Sequence, residues 1–135
     1  CSIGTIVNAN FGSTPGSAAE KSVDNVGAVN VACFGIGGTV SVGLGAGDYV
    51  SGGERYMDKG GDRLRYRLLK DQADAGAGTD WGDQGLTGAT FTAHTPVTRT
   101  LSSNGNQLFN IDGIAYPAGS PDGTYTDTVR ITVEY

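Results

Sequence analysis

The sequence predicts an all-β fold, an antiparallel two-sheet sandwich, on three observations. First, the C-terminal stretch from Thr124 to Tyr135 alternates. Tyr125, Val129, Ile131, Val133 and Tyr135 fall on one face, and Thr126, Thr128, Arg130, Thr132 and Glu134 on the other. Side chains alternate across a strand, so this pattern belongs to a half-buried strand built from β-branched and aromatic residues. Asp127 is the one exception on the apolar side. Second, Arg63 to Leu69 repeats the pattern, with Leu64, Tyr66 and Leu68 set against Arg63, Arg65 and Arg67. Third, 23 of the 135 residues are glycine. Short alternating runs separated by tight turns, with no helical period, give a sandwich, with a closed barrel as the alternative.

In chain order, Ser2 to Val7 reads as a first strand, with Ile3 and Val7 on one face and Ile6 on the other. Asn10-Phe11-Gly12 ends it, and 13–19 is loop by composition. A second strand covers Val23 to Cys33, with Val29, Val31 and Cys33 on one side. Thr39 to Leu44 alternates through Val40, Val42 and Leu44. Gly45 to Gly61 reads as mostly turn, interrupted by Tyr49, Val50, Tyr56 and Met57. After Arg63–Leu69, residues 70–88 carry no sustained period, and Trp81 is their one anchor. Leu86 to Ala93 forms a weak strand around Phe91. Pro96 opens another, through Val97, Arg99 and Leu101. Leu108 to Tyr116 alternates through Phe109, Ile111 and Ala115, and a turn-rich loop leads to the last strand. About seven strands result, in a single domain over residues 1–135.

The net charge of −5 and sequence pI near 4.6 argue against a nucleic-acid partner, since phosphate binding needs a basic face. No apolar run approaches the roughly 18 residues of a spanning helix. The two cysteines, Cys1 and Cys33, have a spacing unsuited to zinc, and a single histidine cannot complete a usual site. They read as a disulfide, which implies an oxidising compartment. The alternatives are two reduced cysteines, with Cys33 packed as a small hydrophobe, or a lipid anchor on Cys1.

Motifs that could carry chemistry are sparse. The glycine clusters at 35–38 and 43–47 lack dinucleotide spacing and open no helix, so they read as turns. His94 could serve a Ser-His-Asp site, but no serine sits in a nucleophile elbow. The acid pairs Asp58/Asp62, Asp71/Asp74 and Asp80/Asp83 read as solvated loop charge, with a bound ion as the alternative. Arg55, Arg63, Arg65, Arg67 and Lys70 read as the wet face of a strand, with an acidic neighbour or anionic surface as the sharper alternative. No cofactor or metal is expected.

The last strand is regular, apolar on one side, and runs to the final residue. The first is short and starts at Cys1. If both border one gap, the sandwich has an unpaired edge and an incompletely covered core. A strand from another chain would then supply the missing hydrogen bonds and side chains.

The order and spacing of several short pieces carry a resemblance. They are Cys1, Phe11-Gly12, Cys33 after a strand, Gly52-Gly53-Glu54-Arg55, Gly61-Asp62-Arg63-Leu64-Arg65-Tyr66-Arg67-Leu68, Trp81-Gly82-Asp83, and Pro121-Asp122-Gly123-Thr124-Tyr125-Thr126-Asp127-Thr128-Val129. Over nearly its whole length the chain resembles the spore coat protein U domain family, the subunit type of archaic (Csu-type) chaperone–usher pili. The resemblance implies an immunoglobulin-like sandwich lacking its final strand. A periplasmic chaperone fills the gap first, and a neighbouring subunit's N-terminal extension replaces it at an outer-membrane usher. It implies a secreted protein, periplasmic in transit and then part of a surface pilus serving attachment and biofilm formation. Cys1 and Cys33 match the family's disulfide. Val129, Ile131, Val133 and Tyr135 match the strand bordering the acceptor groove, with Ile3 and Val7 across from it. The family's polymerising subunits carry an alternating donor segment before the first cysteine. This sequence shows none, so either it is trimmed or the chain is a tip adhesin's receptor domain. In the adhesin reading, Phe34, Ile36, Tyr49, Val50 and Trp81 are candidate loop contacts for an abiotic surface or glycan, with a place in the core as the alternative for any of them. A small secreted hydrolase built on His94 is the enzyme alternative.

Overall fold

The computed structural model describes residues 1–12, 19–34, 38–101 and 104–135. Its strands are β1 (Ser2–Val7), β2 (Lys21–Cys33), β3 (Thr39–Leu44), β4 (Arg55–Lys59), β5 (Asp62–Lys70), β6 (Val97–Thr100), β7 (Gly105–Tyr116) and β8 (Ile131–Glu134). A five-stranded sheet has the order β1-β2-β7-β5-β4, and a three-stranded sheet the order β6-β3-β8. Every pairing is antiparallel. Among the described residues there is no helix.

The two inner faces supply one core. Val29 and Val31 of β2, Phe109 and Ile111 of β7, and Leu64 and Leu68 of β5 meet Val40, Val42 and Leu44 of β3 and Val97 of β6. These are the alternate residues that the pleat turns to one side of each strand. Phe11, just past β1, enters the same core. Its ring packs edge-on to Tyr66, with centroids 6.0 Å apart. Gly113 makes room for it, because a Cβ there would lie 2.6 Å from the ring. Tyr125 is buried and donates its hydroxyl to the Pro121 carbonyl at 2.6 Å. A tyrosine bonded a few residues back along the chain, just before a late strand, is a corner typical of immunoglobulin-like sandwiches.

Three expected elements differ from those observed. Residues 45–61 are not all turn, because β4 pairs with β5 from Arg55↔Tyr66 to Lys59↔Asp62. Its inward positions are Arg55 and Met57, and a charged residue at an inward site hides the alternation. The connecting Gly60-Gly61, both at positive φ, is the two-residue hairpin signal that could have revealed it. Residues 86–93 form no strand. The backbone amides of Thr90 and Phe91 donate instead to the buried Asp83 carboxylate, at 2.9 and 2.7 Å, which holds the chain in turns. The C-terminal stretch is not one strand. Thr126 bridges Asp58 at the β4 edge of the larger sheet, and only from Ile131 does the chain pair with β3 of the smaller one. The segment changes sheets between these points.

A polar clasp fixes β8. The Glu134 carboxylate accepts the Thr87 amide at 2.6 Å, which holds its pKa below the usual glutamate range. A depressed folded pKa gives stability that is present above the unfolded value and is lost as pH falls through the folded one. A Glu134→Gln variant is therefore expected to melt below wild type at neutral pH, with the gap closing on acidification below the glutamate range. A gap that is constant from pH 7 to pH 3 would contradict this.

Candidate binding groove

The two sheets do not match in width. At about 4.8 Å per strand, five strands exceed three by roughly 10 Å. Part of that excess is covered by the sheet-crossing segment, and the rest is an open cavity of about 400 Å³. Its floor runs across the larger sheet through Val29, Ile111, Leu68, Tyr66 and Met57. On one side it is bounded by Ile6 to Ala9, and on the other by Thr126 to Val129 and Ile131. This volume is more than twice the roughly 150 Å³ apolar cavity that accepts one benzene.

Both borders are sheet edges. β1 pairs only with β2, and β8 only with β3, among the described residues. Each therefore has an unpaired backbone edge facing away from its partner. β1 is exposed along its whole length, including Ile3, Ile6 and Val7. An exposed apolar edge is a ready template for another strand.

Of the residues expected to form the groove, Val7, Val129 and Ile131 line the cavity. Val133 lies further along β8, opposite Val42, and packs against the core. Ile3 lies nearer the start of β1, opposite Val31, and Tyr135 is 78% exposed beyond the end of β8. The facing of β1 needs correction. The register slips between Ile3 and Ile6, so Ile3 opposes Val31 and Ile6 opposes Val29. Directly paired residues share a face, and Val29 and Val31 both point into the core. A bulge thus places Ile6 beside Ile3 and leaves Val7, opposite Ala28, on the other face, where simple alternation groups Val7 with Ile3.

Cys1 and Cys33 form a disulfide. It joins the start of β1 to the end of β2, next to the Ser2↔Ala32 pair.

The candidate loop contacts do not form one surface. Trp81 is 0% exposed and donates its indole N–H to the Val42 carbonyl at 2.8 Å. It is a core residue, placed inside because its ring fills the space behind β3. Ile36 lies outside the described residues. Phe34 is 82% exposed, before β3, whereas Tyr49 and Val50 follow its other end. The six residues of β3, roughly 20 Å of strand, lie between them in the chain. Tyr49 is covered by the Arg63 guanidinium, 4.3 Å above its ring.

The arginine row divides. Arg63, Arg65 and Arg67 pair with Asp58, Glu54 and Asp80 on the outer face. Arg55 does not belong to that wet face, being 1% exposed. Lys70 is also buried, and its ammonium donates to Thr95 Oγ1. The acid pairs divide too. Asp83 and Asp74 are buried, Asp83 capping turn amides and Asp74 accepting both arms of Arg99 at 2.7 and 2.9 Å. No group of acids, cysteines and histidine that could hold a metal ion occurs among the described residues. His94 lies against the Phe91 ring and 3.8 Å from Asp80.

Sheet pairing, core and corner tyrosine define an immunoglobulin-like β-sandwich whose interior is incompletely covered along two edges. The Spore Coat Protein U domain model matches residues 1–132, and the chain belongs to that family, which is structural rather than enzymatic. No curated protein matches the sequence. Among solved structures, a similar fold occurs in the CsuC–CsuE chaperone–tip adhesion subunit pre-assembly complex from archaic chaperone–usher Csu pili of Acinetobacter baumannii. The likeness has a TM-score of 0.62 at 20% identity, and covers 97% of this chain but only 38% of that one.

Proposed function

We propose that the protein is a subunit of an extracellular adhesive pilus assembled by a chaperone and usher, and that an extended strand from another chain completes its groove. Residues 1–135 act as a single unit of this kind. A periplasmic chaperone occupies the groove first, and a neighbouring subunit replaces it as the pilus grows at the outer-membrane usher. The assembled pilus serves attachment and biofilm formation. The observation that carries this reading is the mainly apolar cavity of about 400 Å³ between two unpaired strand edges. Family membership and the fold shared with a chaperone-bound pilus subunit support it.

The test is a synthetic peptide with alternating apolar residues. An occupant that binds only the folded state stabilises by about 2.7 kcal/mol at one hundred times its Kd. The melting temperature should therefore rise on the order of 10 °C. Amide exchange should slow at β1 and β8 together, because both edges gain partners. Ile6→Lys, which puts a charge on the groove border, should abolish both effects. No shift at saturating peptide would refute strand acceptance.

A second reading, a tip adhesin's receptor-binding domain, is favoured by the tip subunit in the similar complex, whose chain extends well beyond the matched part. It predicts adsorption of the isolated protein to an abiotic surface or glycan, weakened by Phe34→Ala.

A further inference from the structure

Among the described residues, the groove has one charged lining residue, Asp127. It interrupts the apolar alternation of the C-terminal stretch, and it sits where the chain leaves the β4 edge to cross between sheets. Its Oδ1 accepts the Asp48 and Thr128 amides at 2.9 and 2.8 Å. Its Oδ2 accepts the Tyr66 hydroxyl at 2.5 Å. Tyr66 is buried, and burial together with this bond pushes the phenol well above its ordinary pKa, so it remains the donor. A carboxylate offers about four acceptor positions, and these three bonds leave one on Oδ2. Thr126 and Thr128 line the same end, whereas Ile6, Val29, Ile111 and Leu68 line the remainder.

This polarity has a consequence for whatever covers the groove. A strand laid over it expels water from Asp127, and a desolvated carboxylate is costly unless a donor replaces that water. An acidic side chain at the same point adds like-charge repulsion in a low-dielectric setting. Resting on the strand-acceptance reading above, we propose that Asp127 selects and registers the incoming strand. The occupant is apolar where it faces Ile6 and Ile131, and presents a hydrogen-bond-donating side chain where it passes Asp127. Strands with an acidic residue there are rejected. Asp127 is thus a specificity-determining residue, and Tyr66 holds its carboxylate in place.

The experiment uses one alternating apolar peptide and variants carrying lysine, alanine or glutamate at each inward position in turn. Kd is measured for wild type, Asp127→Asn and Tyr66→Phe by fluorescence anisotropy. At one position only, wild type should prefer lysine over glutamate by about ten- to a hundredfold, the range for a hydrogen bond to a charged group. Asp127→Asn should lose that preference while still binding the parent peptide. Tyr66→Phe keeps the carboxylate, still anchored by the Asp48 and Thr128 amides, and should keep a weakened preference, which guards against a variant that merely folds poorly. Equal binding at every position, or discrimination that persists in Asp127→Asn, overturns the selection role and leaves strand acceptance intact. No binding of any peptide overturns both.

Discussion

Replacing Arg55 by methionine is expected to lower the unfolding free energy by about 3 kcal/mol or more, the largest effect of any single side chain considered. Arg55 Nε donates to the Gly45 carbonyl at 2.9 Å. Its Nη2 donates to the carbonyls of Leu44, Gly45 and Trp81, at 2.9, 2.8 and 2.7 Å. The guanidinium also lies 4.1 Å above the Phe91 ring. One side chain of the larger sheet thereby holds the end of β3 and the Trp81 loop. Burial lowers its pKa, but a guanidinium stays charged at any ordinary pH. Methionine fills similar space yet removes the guanidinium donors of three buried carbonyls, and each carbonyl left unsatisfied costs about 1–3 kcal/mol. Part of that loss returns because a buried charge is removed. Arg55→Lys keeps the charge but loses the planar fork, so its cost should be intermediate. The check is urea unfolding of the three proteins. A methionine variant within about 1 kcal/mol of wild type would show that the fork does not organise this end of the sandwich.

Arg55 also shows where the sequence is opaque. A fold of short antiparallel strands was legible because Val40/Val42/Leu44, Leu64/Tyr66/Leu68 and Phe109/Ile111/Ala115 alternate cleanly. Each lies on a strand with one face in the core, the condition under which a two-residue period appears. β4 was missed because its inward face begins with a cation whose partners are carbonyls far along the chain. No periodicity rule anticipates an arginine turned inward to satisfy backbone acceptors. Trp81 was left open between core and loop contact for a related reason. It sits in a stretch without a period, and only the fold shows the Val42 carbonyl that receives its N–H.

The groove was partly legible by the same logic. Val129 and Ile131 follow the alternation onto its wall, but Ile6 was assigned to the wrong face. The cause is a single-residue register slip in β1, and parity reverses at a bulge. Asp127 stood out as an exception in an apolar series, but its partners lie 61 and 79 residues away. A lone carboxylate in a strand-like run signals that something is there. It does not reveal what faces it.

Removing the disulfide should act mainly on the groove. In the chain-entropy model, a bridge spanning 32 residues is worth about 3–4 kcal/mol, so Cys1→Ser with Cys33→Ser is expected to lose that much in urea unfolding. The loss will not be evenly spread. β2 is sandwiched between β1 and β7, and its inward residues are buried. β1 is exposed throughout, pairs on one side only, and is interrupted by a bulge. Little besides the ladder and the covalent tie holds it, so local opening there should be the cheapest in the molecule. In the double variant, β1 amides should exchange almost freely while those of β7 remain protected. A groove with one frayed border offers an occupant fewer fixed hydrogen-bonding partners. The occupant must then pay the ordering entropy of β1 as well. Affinity for an alternating peptide should therefore fall more than tenfold, even at temperatures where the variant is folded. Unchanged affinity together with exposed β1 amides would show that the occupant relies on the β8 edge alone.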